Sequence, residues 1–180
     1  MLAVVGNARA EEHSPALLEA HAAGRAAVDA GFRVITGGLG GVMAAACRGA
    51  HASDRYRDGD TIGVVPSADP ASANEWVDIV IATGLGDARN LIVANADVVV
   101  AIGGGAGTLS EIAYAWMRRR LIIAVDVPGW SAALAGQALD HRSRFGPDGA
   151  ATIRSAASGA EAVAIAAREW EAFVTRPQGV

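Results

Sequence analysis

Residues 96–112 read Ala-Asp-Val-Val-Val-Ala-Ile-Gly-Gly-Gly-Ala-Gly-Thr-Leu-Ser-Glu-Ile. An unbroken apolar run is followed by a turn made almost wholly of glycine and then by residues suited to opening a helix. A strand that is apolar at every position, not at alternate ones, is covered on both faces. That is the pattern of a parallel sheet between two layers of helices. Short β-branched runs of the same kind recur along the chain and alternate with alanine-rich stretches. Strands are expected over 2–5, 33–36, 61–65, 78–81, 97–102, 121–125 and 151–154, with helices in most of the gaps. The first helix, over 14–30, starts at Ser14-Pro15, a cap and a first-turn proline, and Gly31 ends it. The last covers 159–174. The expected class is α/β: a Rossmann-like, doubly wound and mainly parallel sheet of about six or seven strands with helices on both faces.

The 180 residues suit one domain spanning 1–180, with no repeat or convincing linker. Although 52% of the residues are hydrophobic, no apolar run approaches the roughly 18–20 residues that cross a bilayer. The opening residues have neither basic flank nor cleavage site. No membrane association and a cytoplasmic location are therefore expected. The single cysteine, Cys47, has no partner for a disulfide and reads as a small core residue on a helix. His13, His21, His51 and His141 are scattered without ligand spacing, so no metal is expected. A net charge of -4 argues against nucleic acid as a partner. All 15 basic residues are arginine. Without lysine the chain forms neither a pyridoxal phosphate Schiff base nor a P-loop.

In a doubly wound sheet, ligands bind beyond the carboxyl ends of the strands. Three glycine turns stand there: Gly6-Asn7-Ala8; Thr36-Gly37-Gly38-Leu39-Gly40-Gly41, which leads to Met43 and Cys47; and Gly103-Gly104-Gly105-Ala106-Gly107-Thr108, with a helix expected to start near Thr108. The third is the sharpest. Absent side chains let backbone amides at a helix start approach an anion, and Thr108 adds a hydroxyl. Glu111, one helical turn on, is a candidate acid or charge stabiliser aimed back at the loop. In Gly84-Leu85-Gly86-Asp87-Ala88-Arg89-Asn90, Arg89 offers a planar fork to a phosphate or carboxylate. Arg118-Arg119-Arg120 reads as the cationic end of a helix. Among the tryptophans, Trp76 is expected nearest the cleft, and Trp116, beside the arginine triplet, on a subunit interface. Residues 141–149 read as a surface loop whose Arg142 and Arg144 are candidates to reach a ligand or partner.

The stretches at 84–90 and 96–112, with Thr-Gly-Gly-Leu-Gly-Gly-Val-Met at 36–43 and Arg48-Gly49-Ala50, resemble the lysine decarboxylase-like, or SLOG, superfamily. It includes the LONELY GUY phosphoribohydrolases and the molybdenum cofactor carrier proteins. The resemblance covers residues 2–130 and implies a Rossmann-like fold, homodimers or homotetramers, and a phosphate held by Gly103, Gly104, Gly105, Gly107 and Thr108. In the hydrolases an arginine and a glutamate at the positions of Arg89 and Glu111 form the catalytic pair. Ile102-Gly103 replaces the usual Pro-Gly of the enzymes, and Asn90 their usual lysine, which brings the chain nearer the carrier branch. The leading expectation is a binding protein for a phosphorylated pterin or nucleotide, with the molybdenum cofactor as cargo and no required cofactor. Gly6, Asn7, Gly37, Gly38, Gly40, Met43, Thr83, Gly84 and Asn90 would complete the ligand site. The alternative is hydrolysis of nucleoside 5'-monophosphates.

Overall fold

The computed structural model describes residues 1–141 and 152–174. Seven strands form one sheet: β1 (Leu2–Gly6), β2 (Val34–Thr36), β3 (Thr61–Val65), β4 (Ile79–Ala82), β5 (Val98–Ile102), β6 (Leu121–Val125) and β7 (Arg154–Ala156). Their order is β4-β3-β2-β1-β5-β6-β7, and every pair is parallel. The helices are α1 (Pro15–Asp29), α2 (Val42–His51), α3 (Asn90–Val93), α4 (Ala106–Met117), α5 (Trp130–Leu134) and α6 (Gly159–Val174). This is the expected α/β Rossmann-like architecture. The seventh strand covers Arg154–Ala156 and not the expected 151–154, since residues 152 and 153 precede it as irregular chain; residue 151 and the arginines of the 142–149 loop lie outside the described residues.

The central strands β1, β5 and β6 are apolar throughout because each side of the sheet has its own core. Leu2, Val4, Val98, Val100, Ile102, Ile123 and Val125 pack under α1, α2 and α6. Their neighbours Ala3, Val5, Val99, Ala101, Ile122 and Ala124 pack under α3 and α4 with Ile112, Ala115 and Trp116. Trp116 is thus a core residue, 2% exposed, and not the interface residue expected from its arginine neighbours. The alanine richness has a local cause in the crossing of α1 over α2. A side chain at Gly24 would strike the Ala46 carbonyl, and one at Gly49 the His21 carbonyl. The helices lie backbone against backbone, a separation only glycine and alanine permit.

Among the described residues no helix is long and apolar enough to cross a membrane. The chain winds outward in opposite directions from β1 and β5, which are neighbours in register from Leu2↔Val98 to Gly6↔Ile102. The carboxyl ends of these two strands are the switch point where an open α/β sheet leaves a crevice.

Candidate functional site

The loops leaving β1 and β5 enclose an open cavity of about 450 Å³ together with the turn after β2 and the start of α3. Its lining includes Gly6, Asn7, Met43, Arg89, Asn90, Gly105, Gly107, Thr108 and Glu111 from the sequence-based set. It also includes Ala8, Leu39 and Asp87, members of the glycine turns that the sequence did not single out as ligand residues, and Arg9, which lies outside those turns. A signal for Arg9 exists in the sequence, since it follows directly on the glycine turn at the carboxyl end of a strand, where the crevice opens. Leu39 and Met43 supply an apolar wall on one side.

On the other side stands the start of α4. Gly105 is extended and caps the helix, which begins at Ala106, two residues before the expected Thr108. The first turn of a helix has no intrahelical acceptor for its amides. The amides of Gly105, Ala106, Gly107 and Thr108 give no hydrogen bond to the protein among the described residues, the first intrahelical bond of this end being Leu109 N to the Gly105 carbonyl. Gly105, Ala106 and Gly107 are exposed. This is a cradle of unpartnered donors at the positive end of a 12-residue helix. Gly103 lies outside it: its amide donates to Ser131 Oγ at 2.7 Å, and its carbonyl accepts from Ser131 N. Asn90 Nδ2 donates to Ser110 Oγ at 2.8 Å and ties α3 to the same first turn.

Arg89 and Glu111 meet beneath the cradle, with Arg89 Nη1 donating to Glu111 Oε1 at 3.1 Å. Both are buried, at 8% and 5% exposure. Burial pushes the Glu111 carboxyl up from its ordinary 4.5 to about 7, and the adjacent guanidinium opposes that rise without cancelling it. Arg89 Nε is buried with no hydrogen-bond partner among the described residues. Gly37 does not line the cavity; a Cβ there would lie 2.5 Å from Arg89 Nη1 and 2.6 Å from Nη2. Its bareness makes room for the guanidinium, which packs over the β2 turn.

The structure leaves five other expected ligand residues outside the cavity: Gly38, Gly40, Thr83, Gly84 and Gly104, the last with its carbonyl accepting from Trp130 N at 3.2 Å. Thr83 Oγ1 donates to the Val65 carbonyl and accepts from Leu85 N, closing the turn after β4. Trp76 is also away from the crevice. Its carbonyl accepts from Thr61 Oγ1 at the amino end of β3, and its ring meets His51 edge-on at 5.5 Å. Cys47 is fully buried, as expected of a core residue, and burial pushes its thiol up to about 11. Among the described residues no His, Cys, Asp and Glu side chains group in a way that would hold a metal ion.

Comparison with known proteins places these features in context. The family model of the SLOG cluster4 family matches residues 1–151. A molybdenum cofactor binding protein from the phototrophic bacterium Rippkaea orientalis is 31% identical, with a TM-score of 0.73 over 91% of this chain and 93% of its own. The molybdenum cofactor carrier protein of Chlamydomonas reinhardtii is 29% identical, with a TM-score of 0.72 over 95% of this chain and 98% of its own. An uncharacterized protein of Archaeoglobus fulgidus is 33% identical over 128 residues, 71% of this chain and 80% of the relative.

Proposed function

Because this chain belongs to the SLOG cluster4 family, we propose that it is a binding protein for a small phosphorylated ligand, a pterin phosphate of the molybdenum cofactor type. The observation that carries this reading is the set of unpartnered amides from Gly105 to Thr108, opening into a cavity with an apolar wall. A phosphomonoester would sit on the amides, and the flat ring would lie against Leu39 and Met43. The two cofactor-binding structural neighbours support the choice of a pterin. Isothermal calorimetry with molybdenum cofactor, with its oxidised pterin phosphate and with nucleoside monophosphates tests it. Binding of the pterin phosphate is the expected result, and no binding of any of the three would overturn the reading. The same reading takes the active species as a homodimer or homotetramer, which light scattering checks.

A second reading is favoured by one observation, the Glu111 carboxyl held near 7 beside Arg89. A carboxyl in that range gives and takes protons at neutral pH. Water would replace the base of a nucleoside 5'-monophosphate at the ribose, releasing free base and ribose 5-phosphate. Glu111 would stabilise the positive ribose or activate the water, and Arg89 would orient it. Release of base from AMP or CMP, abolished by Glu111→Gln, is the result expected of this reading. No release from any monophosphate removes it.

A further inference from the structure

Four ionisable side chains line the cavity: Arg9, Asp87, Arg89 and Glu111. They differ in what already holds them. Arg89 is buried, bonded to Glu111 and packed over Gly37, so its guanidinium is fixed in place. Arg9 is exposed, and its side chain makes no ion pair or hydrogen bond among the described residues. Its position favours reach. The chain leaving β1 is anchored up to Asn7, whose carbonyl accepts from Val42 N at 2.9 Å; the next backbone bond is the turn from Ser14 N to the Glu11 carbonyl. Arg9 stands just past the anchored base, on the cavity side.

The charge balance gives Arg9 its consequence. Arg9 adds one positive charge whichever form Glu111 takes. With Glu111 protonated the walls sum to +1 with Arg9 and to zero without it, and with Glu111 ionised they sum to zero with Arg9 and to -1 without it. Removing Arg9 therefore always makes the cavity less attractive to an anion. A planar fork on a long, free side chain also suits two oxygens of a phosphate. We propose that Arg9 is the cation that receives the anionic end of the ligand, and that it sets the site's preference for phosphomonoesters over their dephosphorylated counterparts. This rests on the binding-protein reading above.

The test uses the oxidised, fluorescent pterin phosphate obtained from molybdenum cofactor, before and after phosphatase treatment, titrated against the whole protein. Arg9→Gln is expected to weaken binding of the phosphate form roughly ten- to a hundredfold and to leave the dephosphorylated form unchanged. Arg9→Lys should recover part of the loss, because the charge returns without the fork. If Arg9→Gln binds the phosphate form as tightly as the wild type, or loses both forms equally, the role of Arg9 is overturned and the binding-protein reading stands. If the wild type binds neither form, both are overturned.

Discussion

Glu111 is a carboxyl whose protonated form suits its surroundings better than its ionised form does, and this makes the molecule's stability depend on pH in a definite direction. Its folded value, about 7, lies above the ordinary 4.5. Between those two values the folded chain holds more protons than the unfolded chain, so stability falls as pH rises. The contribution is fully present below about pH 4.5 and is lost as pH passes through about 7. It is on the order of 1–3 kcal/mol. Urea unfolding at a series of pH values should show this decline in the wild type and a flatter profile in Glu111→Gln; an unchanged slope in the variant would assign it to other groups. Gly37→Ala makes a second case. Its added methyl would meet Arg89 at 2.5–2.7 Å, and the buried guanidinium must then shift, which disturbs its bond to Glu111. We expect a loss of about 1–3 kcal/mol in unfolding free energy and at least tenfold weaker binding of pterin phosphate, read by urea titration and fluorescence. The pairing of Arg89 with Glu111 was legible in the sequence, because both flank glycine turns that must converge at strand ends. The service of Gly37 to Arg89 was not, since it depends on how closely the turn after β2 approaches a side chain 52 positions on. The same is true of Gly103, whose amide is taken by a serine on α5.

The elements were easier to read than their junctions. Every strand of the sheet interior is buried on both faces, so its sequence is apolar without alternation and its place is plain. α4 starts two residues before the expected Thr108 because Gly105, in extended conformation, caps the helix before Ala106, and two glycines in the four residues 105–108 disguise a first turn. Trp76 was misplaced because the segment from 66 to 78 runs back to the amino edge, where His51 and Thr61 hold it. The crossing of α1 and α2 is the element-scale feature most exposed to mutation. Gly24→Ala sets a methyl against the Ala46 carbonyl, a backbone atom that cannot turn aside. Because the clash is between helices and not within one, the usual gain from replacing a helical glycine with alanine should be reversed. We expect a cost of about 1–3 kcal/mol or more, measured as a lowered urea midpoint, with Gly49→Ala behaving alike through the His21 carbonyl. A stabilised Gly24→Ala protein would show that the two helices are free to part.

At the scale of the whole molecule, two hydrophobic cores share one sheet, and the candidate site lies where the two winding directions meet. Trp116 reports on the core under α4. Trp170, edge-on to Phe32 at 6.0 Å, reports on the opposite core. The strands between them contribute alternate side chains to each side, so neither core can lose its packing while the other keeps a complete wall. The chain is therefore expected to unfold as one unit. Proteins retaining Trp116 alone or Trp170 alone, with the other tryptophans changed to phenylalanine, should give coincident urea midpoints by fluorescence and by far-ultraviolet dichroism. Ligand sharpens the test, because the cavity draws on the loops after β1 and β5, strands that feed both cores. Pterin phosphate at a hundred times its dissociation constant should raise the unfolding free energy by about 2.7 kcal/mol, and by the same amount at both reporters. Midpoints that separate, or a shift at one tryptophan only, would mean that the cores on the two faces of the sheet lose their packing independently and that the ligand is coupled to one of them.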